Sequence, residues 1–177
     1  MYPAHFAAGL AVKGSVPRAP AWALLTAAFV PDFIWILLSR AGIEPELPPQ
    51  GFFDDWSHSL LMIVLWATIF AFMFWKRGRL VVFAVWIAGL SHVPLDFLIH
   101  PKRLGLYPHS GIRLGWEFWE FGQRKSRLGP SYYWWIEGAA IVVLLAWYAW
   151  FSRKTSLRPA LMTASCLLVA GLHLLSL

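Results

Sequence analysis

Residues 92–100 read H-V-P-L-D-F-L-I-H, which places His92, Asp96 and His100 at positions i, i+4 and i+8 of one apolar stretch. Four residues turn a helix by roughly 400°, so each step drifts only about 40° and the three side chains share one face. The stretch that carries them, Leu80 to Ile99, has the length and apolar character of a bilayer-crossing helix. Ionisable groups inside such a helix are costly and call for partners or a metal. Two imidazoles flanking a carboxylate are good ligands for zinc or a similar divalent ion.

Composition agrees with a membrane setting. The chain of 177 residues is 59% hydrophobic and 14% charged, against about 25% charged in soluble domains. Mean hydropathy is +0.58. The sequence predicts an all-α integral membrane bundle, residues 1–177 forming a single domain. A short N-terminal helix over Pro3 to Val12 precedes five spans: Ala21 to Ser39, Ser57 to Trp75, Leu80 to Ile99, Tyr132 to Phe151 and Pro159 to Leu177. Pro31 interrupts the first span and Pro94 kinks the third. No cleavable signal is expected, and the lone Cys166 reads as a small apolar residue in a span.

Charge orients the spans. Lys13 and Arg18, then Lys76, Arg77 and Arg79, then Arg153, Lys154 and Arg158 fall in alternate short loops, which are therefore expected on the cytoplasmic side. The net charge of +6 is accounted for by such loops rather than by nucleic-acid binding. The loop over 101–131 breaks the alternation, because it is basic yet falls outside. Its Trp116, Phe118, Trp119 and Phe121 point to a segment at the lipid interface. The twelve tryptophans fit aromatic belts.

At helical rise, His5 lies roughly 12 Å from the cytoplasmic edge, Asp32 roughly 16 Å, His92 roughly 20 Å, Asp96 roughly 25 Å, Glu137 roughly 24 Å and His58 roughly 27 Å. Six polar residues from five segments thus share the middle or outer half of the bilayer, as one polar site near the outer face requires. Blander roles exist for several. Asp32 fits a cap on a helix restarting after Pro31, His58 an interfacial residue, Glu137 a partner for a loop cation, and His109 an exposed loop residue. Asp54 and Asp55 read as a solvated helix start, and His173 as a structural histidine.

A metal held by histidine and carboxylate with one open position lowers the pKa of bound water to near 7, and a neighbouring carboxylate such as Asp32 accepts the proton. Basic residues after the third span, Arg103 and Arg113 among them, together with His109, suit an anionic substrate such as a lipid headgroup. No base is spaced to activate Ser59 or Ser110. Two other classes remain open: a metal or proton transporter, and a metal-stabilised scaffold without catalysis.

An ordered set of motifs extends the reading. A-H-F-A-A-G around His5, P-D at Pro31-Asp32, S-H-S-L-L around His58, S-H-V-P-L-D from Ser91 to Asp96 and Y-P-H-S-G-I-R-L-G from Tyr107 occur in that order. Over about residues 1 to 140 the chain resembles the YdjM-like family of inner-membrane metal-dependent hydrolases, which is itself similar to zinc-dependent phospholipase C. The resemblance implies one ion, zinc first among the candidates, on Asp32, His58, His92 and Asp96, and a second on His5 with Asp96 bridging. It implies a metal-dependent hydrolase of a bacterial inner membrane without fixing the substrate; the basic loop and the depths above add the expectation of a phosphoester of a lipid or other anionic substrate, cleaved near the outer face. Two departures stand out: Ser57 where the family has threonine, and Tyr133 four residues before Glu137 where the soluble enzymes use H-x-x-x-E. A third ion therefore needs His100 or His109 as a substitute ligand. Oligomeric state is left open.

Overall fold

The computed structural model describes residues 2–44, 46–47, 51–52, 54–99, 104–114, 132–153 and 159–175. Helices dominate them: α1 (Tyr2–Ser15), α2 (Ala21–Ala28), α3 (Val30–Arg40), α4 (Asp55–His58), α5 (Leu60–Phe72), α6 (Arg79–Leu90), α7 (His92–Ile99), α8 (Tyr132–Ser152) and α9 (Pro159–Leu174). The all-α expectation holds, with two small additions. Antiparallel ribbons of two residues a side, β1 (Glu46–Leu47) with β2 (Gly51–Phe52) and β3 (Leu104–Gly105) with β4 (Arg113–Leu114), lie in the connection between α3 and α4 and in the one after α7.

Prolines set the breaks that matter. Pro94 has no N–H to offer the carbonyl of Leu90, and its ring crowds that oxygen. The helical ladder is interrupted at Ser91, whose hydroxyl donates instead to the carbonyl of Ala88 at 2.6 Å. Pro31 sits in the first turn of α3, and α2 and α3 meet at 54°. Both breaks lie beside a site residue, Asp32 in one case and His92 in the other.

Two apolar cores hold the bundle. One joins α2, α5 and α6 through Leu24, Ala27, Ala71, Val85 and Ala88. The other joins α1, α8 and α9 through Ala7, Leu10, Ile141, Tyr148 and Val169, with Leu95 of α7. The small residues of α1 let neighbouring backbones approach closely: a Cβ on Gly9 would lie 3.2 Å from the Leu24 carbonyl. This helix of 14 residues is too short to cross a bilayer, as its sequence implied, and is instead buried among its neighbours.

Arg79–Leu98 and Trp134–Ser152 are long and apolar enough to cross a membrane, and α2 with α3 makes a third candidate if the bent pair counts as one span. The expected second and fifth spans are represented by Leu60–Phe72 and Ala160–Leu174, shorter than a full crossing. The second is curtailed because the helix restarts after Ser59 and gives way after Phe72 to a 3-10 turn at Trp75–Arg77.

Candidate metal centre

His5 near the start of α1, Asp32 in the first turn of α3, His58 at the end of α4, and His92 and Asp96 on α7 converge where the two cores meet. His92 is 0%, His5 1% and Asp96 3% exposed. His92 Nε2 lies 3.1 Å from Asp96 Oδ2, an i, i+4 pair on one helix face as the spacing required. His5 Nε2 lies 3.4 Å from Asp96 Oδ1, and His58 Nε2 3.6 Å from Asp32 Oδ1. The rings of His5 and His92 stack at 4.1 Å and 2°, and His58 stands 5.1 Å from His92.

Hydrogen bonds outside the cluster aim the imidazoles. His92 Nδ1–H donates to the carbonyl of Ala28 at 2.9 Å, the last residue of α2, which leaves Nε2 with its lone pair facing Asp96. The Ser57 hydroxyl donates to the carbonyl of Asp54 at 3.1 Å and accepts from His58 Nδ1–H at 2.7 Å, so His58 Nε2 faces Asp32 as a lone pair. Both are the outer contacts that metal-ligating histidines use to fix tautomer and ring angle.

Donor groups fall into two sets, His5–His92–Asp96 and Asp32–His58–His92, with the donor atoms of each set within 4.8 Å of one another. Donors in a tetrahedral zinc site lie about 3.3 Å apart for metal–nitrogen bonds of about 2.0–2.1 Å. The three histidine–carboxylate separations, 3.1 to 3.6 Å, are close to that spacing, and the remaining donor pairs of each set lie within 4.8 Å. Three buried atoms of the cluster, His5 Nδ1, Asp32 Oδ2 and His92 Nε2, make no hydrogen bond. Buried polar atoms without partners are costly and rare, and a divalent ion would satisfy those that face inward. The two sets share His92, which has one free nitrogen and can serve one ion. Asp96, whose two oxygens face His5 and His92, would be a ligand on the His5 side.

Other expected site residues lie elsewhere. Glu137 does not join the ligand sets. Its Oε1 accepts the N–H of Ala4 at 3.3 Å, at the start of α1, and its Oε2 lies 3.4 Å from His173 Nδ1. Trp134 stacks on His173 at 4.4 Å, so the histidine expected to be solitary has two companions. Glu137 therefore reaches the centre only by holding the helix that carries His5. Arg113, expected to bind substrate, is paired through both guanidinium nitrogens with Asp55. Asp55 is buried, not solvated, because β3 and β4 fold Arg113 back over it, and it also accepts the N–H of His109 at 2.9 Å. That contact holds His109 at φ 60°, in the left-handed region, with its exposed ring edge-on to Trp56. His100, Arg103 and most of the basic aromatic loop lie outside the described residues.

The carbonyl of Ala28 and Glu44 had no expected role in the site, and Ser57 was marked only as a departure from the family's threonine. Glu44 is fully buried and accepts the N–H of Ser57 at 2.9 Å, fixing the start of the short helix that ends at His58. The S-H dipeptide was the one available signal for Ser57; nothing local marks Glu44 or the carbonyl.

A groove of about 330 Å³ lined by Phe6, Leu25, Thr26, Phe29, Phe33 and Ile36 also reaches Asp32. The centre is thus approached along an apolar wall. Comparisons with family models, curated proteins and solved structures gave no match.

Proposed function

We propose that this protein is an integral membrane metal-dependent hydrolase acting on a phosphoester of a lipid. The observation that carries the reading is the convergence of His5, Asp32, His58, His92 and Asp96, from four helices, on donor spacings that suit a divalent ion. Zinc is the ion proposed, since a mixed nitrogen and oxygen donor set at these separations suits it. The resemblance to the YdjM-like family points the same way.

In this reading Asp32, His58 and His92 would hold one ion and leave room for water, and His5 with Asp96 could hold a second. Bound there, the metal supplies Lewis acidity and lowers the pKa of water at its open position. Asp32 is the group with a second task. Its Oδ1 faces His58, while its Oδ2 has no hydrogen bond and Asp32 itself lines the groove, so Oδ2 takes the proton from the attacking water. Phe29, Phe33 and Ile36 line the path by which an apolar chain lies beside the site while its phosphoester reaches Asp32. Arg113 is committed to Asp55, so it holds the β3–β4 hairpin over α4 rather than a substrate anion.

We further propose five crossings, with the two shorter helices α5 and α9 completed by their neighbours, in a bacterial inner membrane with the centre toward the outer face. The test is release of product from phospholipid and polyprenyl-phosphate panels by metal-loaded protein in detergent. Release that falls about 10²- to 10⁴-fold in Asp32→Asn supports the reading. Release unchanged by that substitution and by a chelator, or none from any lipid by fully loaded protein, overturns it.

A further inference from the structure

All nine acidic residues lie at 32, 44, 46, 54, 55, 96, 117, 120 and 137, and none occurs over 1–31, 56–95 or 138–177. The connections α1–α2 and α5–α6 therefore carry cations and no carboxylate. There, Arg18 from the α1–α2 connection meets Arg77 and Arg79 from the α5–α6 connection around a cavity of about 460 Å³. All three side chains are exposed, and among the described residues no carboxylate lies within ion-pair reach of any of them. Three unneutralised guanidiniums around one hollow repel one another and create a strong positive potential. The start of α6, Arg79 to Val81, lines the same cavity.

A second cavity, of about 590 Å³, shares Arg79 and continues along Trp75, Phe83 and Trp86. The cationic hollow and the aromatic groove thus border on the same side chain, Arg79. Arg79 opens α6 and His92 lies thirteen residues on, about 20 Å away at helical rise, so this feature is remote from the metal centre.

We propose that this is a binding site for an anionic phospholipid, with the phosphate on Arg18, Arg77 and Arg79 and one acyl chain along Trp75, Phe83 and Trp86. Charge complementarity selects the headgroup, because guanidinium forks match phosphate oxygens and no acidic side chain competes. The adjoining groove selects a lipid over a soluble phosphate, since only an amphiphile fills both cavities. The site does not depend on the hydrolase reading.

Native mass spectrometry of the full chain in detergent tests it with three probes: phosphatidylglycerol, phosphatidylcholine of the same acyl composition, and water-soluble glycerophosphate. The expected result is one retained phosphatidylglycerol, favoured over phosphatidylcholine by at least about tenfold and not displaced by glycerophosphate at equal concentration. Arg77→Gln and Arg18→Gln, made singly so that the loop charge is largely kept, should each weaken retention about fivefold. Phe83→Ala should weaken it with all arginines intact. Equal retention of the two lipids, or displacement by glycerophosphate at equal concentration, overturns the proposal. So does retention unchanged in all three variants. The comparison of lipids on the unaltered chain decides the matter even where a variant fails to fold.

Discussion

Each histidine of the centre is defined as much by what it touches on its far side as by the cluster it faces. The Ala28 carbonyl fixes the tautomer of His92, and Ser57 fixes that of His58. Outer contacts of this kind are worth about 10- to 100-fold in metal affinity. Ser57→Ala should therefore raise the metal dissociation constant by about that factor in a chelator competition, while thermal stability of the metal-free protein stays nearly unchanged. An unchanged constant would remove Ser57 from the site. The pair His92–Asp96 was legible because helical period alone brings i and i+4 together. Glu137–His173 and Asp55–Arg113 were not, because those partners are 36 and 58 residues apart and meet only through tertiary folding. Asp55 in particular looked solvated because a carboxylate in the first turn of a helix is favourable in water without any partner.

Among the elements, the broken helices do the positioning. A continuous helix through Pro31 or Pro94 would rotate Asp32 or His92 away from the other ligands, and the breaks at Phe29 and Ser91 give each its own short segment. These prolines and the shortness of α1 could be read from sequence; the termination of α5 after Phe72 could not, since the residues beyond it remain apolar. Packing of α5 on α6 depends on Gly89, where a Cβ would lie 2.8 Å from that of Ala67. Gly89→Leu should force the two helices apart at a cost of about 1–3 kcal/mol or more, seen as a lower thermal midpoint in detergent. An unaltered midpoint would show that this contact is not tight. Glu44 acts on one element only, the four-residue α4. Glu44→Ala leaves the N–H of Ser57 unpaired in a buried place and should cost about 1–3 kcal/mol. It should also lower metal occupancy by loosening His58, which a purely structural role at the surface would not do.

At the scale of the whole molecule, charge and chemistry are segregated. Among the described residues, Asp32, His5, His58, His92 and Asp96 converge at one place, and Arg18, Arg77 and Arg79 gather at another without a carboxylate in ion-pair reach. In the proposed membrane setting, the short basic loops are expected to face the cytoplasm. A reporter fused after Ser131 should then register outside; a cytoplasmic signal would reverse the orientation and place the centre toward the inner leaflet. Metal loading should also follow pH, because histidine ligands must be neutral to bind. Occupancy should fall as pH is lowered and the histidine ligands take up protons. The central claim is that five side chains from four helices form one metal centre. Elemental analysis of protein purified gently in detergent tests it directly, on the unaltered chain, His92→Ala and Asp96→Ala. The account predicts about one or two divalent ions per chain, lost in both variants. Unaltered protein without metal, or variants that keep it, would contradict the claim.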